Sequence, residues 1–378
     1  MSVEIVKVTN KAQLKEFVEF ANKLYDGVKC YAPSLYSDDY NTFNPKRNGA
    51  FDFCEAQQFL ALKDGKTVGR VMAILNHKAN DTWKVKQVRF GWIDFVDDIE
   101  VSSALLKAVE DWGKERGMES IVGPLGFTDF DPEGMLIEGF DRLATMVGIY
   151  NFPYYPQHLE KLGFSKETDW VEYRLTIPEE LPARYPLFAQ SVIDKNHLRV
   201  RKVTRRMINK EKYGKKFFKL INETYYKLYG FSLLSDKQVD EYTKLYLGLL
   251  DTKMVSFIEN ENGELVAAGV TMPDLGEALK KCNGKLFPFG WYHLLKAIFV
   301  KRSETLDMLL VGVREDYRGK GLNAVLFCDL YPRIKAMGFK YAETTAELET
   351  NDRIQAMWKM FDREQHKRRR CFVKAIEK

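Results

Sequence analysis

The chain has 378 residues, 45% of them apolar and 13% aromatic, and a net charge of +5 at pH 7. This length allows two domains of ordinary size, and the apolar content excludes a disordered chain. So small a charge gives no indication of a nucleic-acid partner. The five cysteines have no paired spacing, which argues against a disulfide framework and against a zinc site. No run approaches the ~20 apolar residues of a membrane span, and the first residues lack the pattern of a secretion signal. We therefore expect a cytoplasmic protein with no metal and no membrane partner.

Taken in chain order, the first half contains a predicted hairpin, a strand, an amphipathic helix, a second strand and a short helix. These lie at residues 59–71, 90–95, 101–116, 120–122 and 154–162. The hairpin has apolar alternation on both sides of Asp64-Gly65, a dipeptide that favours a tight turn. Gly117 follows the long helix, as expected of a helix stop.

The second half repeats the same order. The hairpin turns at Asn262-Gly263, and Gly338 ends the long helix. The corresponding segments are residues 254–270, 308–313, 322–337, 341–345 and 354–361. Two copies of one domain are therefore predicted, at residues 1–180 and 197–378, with a linker at 181–196 where prolines cluster. Long insertions at 31–53, 127–150 and 274–286 distinguish the copies.

The most informative segment is VREDYRGKG at residues 313–321, between a predicted strand and a predicted helix. Gly319 and Gly321 allow the backbone to approach a ligand closely. The backbone amides of residues 318–322 are expected to be unpaired donors at the positive end of the helix. This arrangement suits a phosphate or pyrophosphate.

The run VGVREDYRGKGL at residues 311–322 resembles the acyl-coenzyme A binding strand, loop and helix of the GNAT acetyltransferase superfamily. Asn351 and the residues after it, Ala356, Met357, Trp358 and Phe361, resemble the last conserved helix of that family. The resemblance is close over residues 197–378 and covers residues 1–177 as a second, degenerate copy. It implies an α/β fold of the mixed-sheet, α+β kind, built from two tandem GNAT-like acyl-CoA N-acyltransferase domains.

The resemblance also implies a set of cofactor-binding residues. The backbone amides that would hold the pyrophosphate belong to Arg318, Gly319, Lys320, Gly321 and Leu322. The backbone that would pair with the pantetheine arm belongs to Val311, Gly312 and Val313, and Asn351 would hydrogen-bond the arm from its other side. The thioester would lie where the strands beginning near 308 and 341 diverge.

The implied activity is N-acyl transfer, with acetyl-CoA as co-substrate and an amine of a small molecule or peptide as acceptor. We expect direct attack on the thioester, because no cysteine lies in a nucleophile setting. The sequence identifies neither the particular amine nor the oligomeric state. In the first half, Asp97, Asp98 and Glu100 stand at the position of the loop and would repel a phosphate, so we expect one cofactor per chain.

The chain departs from the family at Trp358, where a proton-donating tyrosine is common, because an indole cannot supply that proton. Glu343 and Glu347 are the candidate catalytic residues, either of which could relay a proton. The alternative is that both face solvent. His158 and His293 have no Ser, Cys or carboxylate partner at a recognisable spacing.

Two other functions stay open. A non-catalytic acyl-CoA sensor would account for Trp358, and a tRNA-dependent aminoacyl transferase of related fold would use the basic runs at residues 199–219 and 366–370. Solvated faces are the other interpretation of those runs. The aromatic stretch at residues 287–293 fits either an acceptor pocket or a packed core.

Overall fold

The computed structural model describes residues 2–247 and 250–377. The first half contains strands β1 Glu4–Lys7, β2 Cys54–Lys63, β3 Lys66–Asn76, β4 Gln87–Phe95, β5 Ser120–Gly123, β6 Met135–Glu138 and β7 Ser165–Thr176. Its helices are α1 Lys11–Leu24, α2 Tyr36–Thr42, α3 His77–Trp83, α4 Ile99–Lys114 and α5 Tyr154–Lys161. The predicted elements of this half are therefore present, and the insertion at 31–53 contains α2.

The second half contains strands β8 Arg199–Arg201, β9 Val255–Glu259, β10 Leu265–Pro273, β11 Thr305–Val313, β12 Tyr341–Thr344, β13 Glu347–Leu348 and β14 Arg363–Ala375. Its helices are α6 Arg184–Lys195, α7 Arg205–Asn209, α8 Tyr213–Tyr225, α9 Asp236–Tyr242, α10 Gly276–Cys282, α11 Gly290–Phe299, α12 Leu322–Ala336 and α13 Asp352–Trp358. Short 3₁₀ turns lie at Gly49–Asp52, Thr252–Met254 and Glu315–Tyr317. Within the described ranges, every helix is too short or too polar to cross a bilayer.

The strands form one mixed sheet in the order β1-β2-β3-β4-β5-β14-β7-β12-β11-β10-β9-β8, with β6 added on β14 and β13 on β7. The pairs β4–β5 and β11–β12 are parallel. All other pairs are antiparallel. Helices α4 and α12 each connect the two strands of a parallel pair, as such crossovers require.

The two halves exchange their last strands. Strand β14 lies between β5 and β7 of the first half, and β7 pairs with β12 and β13 of the second half. The division into residues 1–180 and 197–378 stays a prediction from the order of elements along the chain, and each half of the sheet includes a strand from the other half. The segment predicted as a linker contains helix α6, which packs on α12. Pro186 is tolerated there because it lies in the first turn of α6.

Each half has a long strand that separates from its parallel neighbour. Strand β11 pairs with β12 from Thr305 to Met308, and a bulge shifts its register with β10 at that point. Beyond the bulge β11 pairs with β10 alone as far as Val313. In the first half β4 pairs with β5 from Gln87 to Arg89 and then continues to Phe95. A bulge also interrupts the β3–β4 register between Arg70 and Met72, and bulges of this kind re-aim a strand.

Candidate functional site

The candidate site of the second half is the gap where β11 and β12 separate. On the side of β11 that faces β12, the backbone of residues 309–313 has no strand partner. The loop at 314–321 and the start of α12 follow directly. The sequence predicted this order of edge, loop and helix end. An extended ligand with amide groups could add to such an edge as an extra strand.

The loop offers fewer free amides than expected. The amide of Arg318 donates to the Glu315 carbonyl at 3.1 Å, and that of Lys320 donates to the Tyr317 carbonyl at 3.3 Å. The expectation of five unpaired amides is therefore wrong for these two residues, because the loop begins as a 3₁₀ turn that uses them internally. The amides of Gly319, Gly321 and Leu322 have no acceptor among the described residues.

Both loop glycines adopt backbone geometry that other residues avoid. Gly319 has φ +75° and Gly321 has φ +87°. Gly321 also precedes α12 as its N-cap, and no side chain caps that helix start. The positive helix end is consequently left for an anion. A Cβ at Gly321 would lie 2.9 Å from the Phe188 ring of α6, so this position is also constrained by packing.

Of the cationic side chains in the loop, Arg314 and Arg318 are bonded within the protein and Lys320 is exposed. The Arg318 guanidinium donates to the Thr224 carbonyl at 3.0 Å and thereby ties the loop to the end of α8. Arg314 is paired with Asp316 and Glu264. Lys320 is exposed, and its Nζ lies 4.6 Å from the centroid of the Tyr317 ring. Lys320 is therefore the loop cation best placed to meet a phosphate from solvent.

A tyrosine that the sequence analysis did not identify lies against the β11 edge. The Tyr225 hydroxyl, at the end of α8, donates to the Val311 carbonyl at 3.1 Å. Burial raises the pKa of Tyr225 to about 12, so the hydroxyl stays protonated at neutral pH. No local pattern relates residue 225 to residue 311, since the fold alone brings them together.

Asn351 opens the short helix predicted after it, and its side chain has a structural role there. Its side-chain Oδ1 accepts a hydrogen bond of 3.4 Å from the Ile354 amide and caps α13. Its Nδ2 donates to no acceptor among the described residues. The side-chain amide can therefore still donate toward the gap while the carbonyl oxygen caps the helix.

Glu347 is the most distinctive titratable group at the gap. Its side chain is largely buried, with 8% of the residue exposed, and its Oε1 accepts a 2.7 Å hydrogen bond from Trp358 Nε1. Its Oε2 is buried and makes no hydrogen bond to any of the described residues. Burial raises the pKa of Glu347 to about 7, against the opposing effect of the Trp358 and Thr344 hydrogen bonds. The expectation that this residue faces solvent is wrong, and Trp358 holds the carboxylate in place.

Glu343 is largely buried too, but on the opposite face of the sheet. It pairs across the sheet with Arg174, whereas Glu347 pairs with Val171, and these two β7 positions point to opposite faces. Its Oε2 lies 3.6 Å from Lys367 Nζ and 3.8 Å from His366 Nε2. Burial raises the pKa of Glu343. The solvent-facing alternative is wrong here as well, because the insertion at 127–150 covers this face: Lys367 Nζ donates to the Leu143 carbonyl at 2.9 Å.

Two further buried groups join Glu343, and both lack hydrogen-bond partners within the described part of the chain. Asp307, which is opposite Glu343 in the β11–β12 register, is 1% exposed, and neither carboxyl oxygen makes a hydrogen bond. Burial raises the pKa of Asp307 well above its usual value. His366 has both ring nitrogens unbonded, and burial lowers its pKa to about 4. Such orphaned polar groups in a buried place are typical of sites that bind a polar ligand.

The equivalent gap of the first half is filled by the chain itself. The Leu125 amide donates to the Phe90 carbonyl at 2.8 Å, and Tyr155 and Tyr154 hydrogen-bond the backbone of Phe95. Asp98 caps α4 by accepting from the Glu100 amide, and Lys63 neutralises it at 2.8 Å. Hydrogen bonds within the chain therefore already occupy the β4 edge and the start of α4, the two places where a cofactor would bind.

His158 does have polar neighbours, so the expectation of none is wrong. Ser102 Oγ lies 2.9 Å from its Nδ1, and Asp97 Oδ1 lies 3.0 Å from its Nε2. Ser102 is fully buried and also donates to the Ile99 carbonyl. Because the hydroxyl donates its proton to that carbonyl and not to the imidazole, the group joins α4 to α5 without forming a catalytic triad.

The basic run at 366–370 is neither a solvated face nor a polyanion surface. Arg369 Nη2 lies 2.7 Å from Glu172, and Arg368 and Arg370 both bond Asp169. These pairs join β14 to β7, which explains why the cations are partly or fully buried. No group of three His, Cys, Asp or Glu side chains among residues 2–247 and 250–377 is arranged to hold a metal ion.

Comparison with known proteins adds to this picture. No family model matches the chain. Protein YghO of Escherichia coli is 29% identical over 378 residues, which cover 97% of this chain and 94% of that protein. The bacterial ceramide synthase of Caulobacter vibrioides is 25% identical over 382 residues, covering 99% of this chain and 98% of its own length.

Solved structures support the fold. A tandem GNAT protein from the clavulanic acid biosynthesis pathway aligns with 100% of this chain and 99% of its own, with a TM-score of 0.57 and 11% identity. A GCN5-related N-acetyltransferase from Sphaerobacter thermophilus covers 100% and 96%, with a TM-score of 0.50 and 11% identity. These alignments confirm the predicted α/β fold class and the resemblance that suggested it. The chain has the fold of a tandem GNAT protein.

Proposed function

We propose that the chain is an N-acyltransferase that moves an acyl group from coenzyme A to an amine. The observation that carries this proposal is the β11 edge at residues 309–313, which has no strand partner within the described chain and leads directly into the free amides of Gly319, Gly321 and Leu322. An extended amide chain that ends in a diphosphate matches both parts of the site. Acyl-CoA is such a molecule, and acetyl-CoA is the donor that the sequence resemblance implies.

The chemistry needs a neutral amine and an acceptor for its proton. The nitrogen attacks the thioester carbonyl, a C–N bond forms, the C–S bond breaks, and the thiolate leaves as coenzyme A after taking up a proton. Glu347, with a pKa of about 7, is ionised in a large fraction of molecules at neutral pH and can accept the proton of the attacking nitrogen. Trp358 acts as a positioning residue for this carboxylate. Tyr225, whose protonated hydroxyl bonds the β11 edge, can supply the proton that the leaving thiolate takes up.

Asp307, Glu343 and His366 would hold the acceptor. Their face of the sheet is opposite to that of Glu347, so the acceptor nitrogen would reach Glu347 through the gap where β11 and β12 separate. The unbonded oxygens of Asp307 suit an acceptor group that carries hydrogens. The name of the Caulobacter relative, a ceramide synthase, indicates N-acylation of a long-chain amino alcohol by that protein. Acceptors of that class, and donors longer than acetyl, are therefore worth testing beside simple amines.

The proposal is tested by release of free coenzyme A. Purified chain is incubated with acetyl-CoA or long-chain acyl-CoA and with amino acids, aminosugars, peptides or long-chain amino alcohols. Thiol is measured colorimetrically and the amide by mass spectrometry. We expect thiol release that depends on one class of amine, with an equal amount of amide. Tight acyl-CoA binding without release under every condition would favour the sensor instead. Steeply salt-dependent binding of tRNA without acyl-CoA binding would favour the aminoacyl transferase.

A further inference from the structure

Helix α11 and the loop before it expose an unusual amount of apolar surface. Phe287 and Phe289 are 73% and 70% exposed, and the large side chains of α11 continue the surface. The exposed apolar residues that make up this patch, which we call the α11 patch, are Phe287, Phe289, Trp291, Tyr292, Leu295, Phe299 and Val300. Contiguous aromatic surface of this kind is uncommon on a protein that meets only water.

The spacing of the exposed apolar residues along α11 places them on one side of the helix. Trp291, Leu295 and Phe299 recur every four residues and so lie along one side of α11. The opposite side, with Leu294, Ala297 and Ile298, packs into the core of the second half. The indole of Trp291 is fixed by a 2.9 Å hydrogen bond to the Pro288 carbonyl. The helix is therefore anchored by one side and presents the other outward.

Cations surround the patch. Residues 278–303 contain Lys280, Lys281, Lys285, Lys296, Lys301 and Arg302, and no Asp or Glu. Lys281, Lys285, Lys296 and Lys301 are exposed, and none of these four is paired with a carboxylate within the described part of the chain. An apolar, aromatic helix face bordered by lysines is the pattern of a helix that lies in the interfacial region of a bilayer.

We propose that the α11 patch docks the protein on an anionic lipid surface, with α11 parallel to the bilayer plane. A second copy of the chain fits less well, because a symmetric contact through the patch would bring the lysine border of one copy against that of the other. Anionic headgroups would neutralise the border while the aromatic rings enter the acyl boundary. This inference depends on α11 and not on the proposed reaction, and it replaces the expectation of no membrane partner.

The test is flotation of the full chain with vesicles of phosphatidylcholine alone and of phosphatidylcholine mixed with phosphatidylglycerol. We expect binding to the mixed vesicles that weakens in high salt. The variant Phe287→Ser/Phe289→Ser should bind them roughly tenfold or more weakly, because each ring that enters the interface contributes apolar burial. The variant Lys285→Gln/Lys296→Gln/Lys301→Gln should lose most of the preference for anionic lipid. Each lysine removed should weaken binding to the mixed vesicles roughly fivefold.

The matched control is Leu187→Ser/Met360→Ser, which removes two exposed apolar side chains from outside the patch, 72% and 60% exposed. It should bind vesicles like the wild type, and thermal unfolding should be similar for all variants. Equal vesicle binding by the Phe287→Ser/Phe289→Ser variant and the control would overturn the proposal. So would light scattering that finds a dimer dissociated by Phe287→Ser/Phe289→Ser, together with no vesicle binding by the wild type. Thiol release from soluble substrates is measured in parallel, so failure of docking and failure of the acyltransferase proposal are separate results.

Discussion

Replacing Gly319 with alanine tests whether the loop backbone binds the cofactor. Gly319 has φ +75°, and a Cβ built there has no heavy atom within 4 Å, so the change adds no clash. The left-handed conformation costs a residue with a Cβ about 1–2 kcal/mol, and the loop can relax this strain by turning its peptides. Turning them moves the amides of Gly319 and Gly321 away from a bound diphosphate.

The expected size follows from the bonds at risk. A hydrogen bond to a charged group is worth about 1.5–3 kcal/mol, so losing one such bond should weaken coenzyme A binding by roughly 10- to 100-fold. Gly338→Ala is the matched control. Gly338 has φ +86° and open space around its Cβ position, and it follows the other end of α12, about 20 Å from the loop.

The assay is titration calorimetry with coenzyme A, accompanied by thermal unfolding of each variant. Both variants should lose a similar, small amount of stability, and Gly319→Ala alone should lose affinity. Gly321 is a poorer choice, because its methyl would meet Phe188 and Val192 and disturb packing. If Gly319→Ala binds coenzyme A as tightly as Gly338→Ala does, the amides of this loop are not the diphosphate site.

Four other outcomes are expected. Glu347→Gln should lower kcat roughly 100-fold or more. It should also abolish the increase in kcat/KM that we expect as the pH rises through about 7, because the base works only when ionised. A pH profile of thiol release measures both effects. The same variant should lose less stability than the wild type as the pH rises from 5 to 8, a difference that thermal unfolding at several pH values measures. The reason is that a carboxyl whose pKa is raised from 4.5 to about 7 holds its proton more tightly in the folded chain across that range. Asp307→Asn should raise KM for the amine and leave coenzyme A affinity unchanged, which steady-state kinetics and calorimetry separate. Titration with acetyl-CoA should give one site per chain, and two comparable sites would contradict the assignment of a closed first half.

The elements that the sequence predicted are those with local signals. The turn at Asp64-Gly65 and the helix stops at Gly117 and Gly338 depend on residues close in the chain, and each is present at its predicted place. The edge and loop at residues 311–322 were predictable for the same reason, because one run of sequence carries the strand, both glycines and the helix start. Their ligand remains a prediction until coenzyme A binding is measured.

The features that the sequence did not predict depend on contacts between distant residues. Nothing near Trp358 indicates that its indole holds Glu347, and nothing near Val311 indicates Tyr225. The bulge between Gln365 and Lys367 in the β14–β7 pairing lets two successive residues, His366 and Lys367, be buried together. A period of two would have placed them on opposite faces. For these reasons the basic run at residues 366–370, which its sequence alone would place on the surface, is part of the buried centre of the sheet.

The closed first half contributes to the open site of the second. Strand β7 supplies the wall opposite both glutamates, through Arg174 beside Glu343 and Val171 beside Glu347. The insertion at 127–150 covers the face where Asp307 and Glu343 lie, with the Leu143 carbonyl bonded to Lys367. Tyrosines fill the gap of the first half, yet the second half still needs the first, because the site of the second half is built on strand β7. The exchange of β7 and β14 thus makes strand β7 and the insertion at 127–150 part of the second half's site, although the first half's own gap is closed.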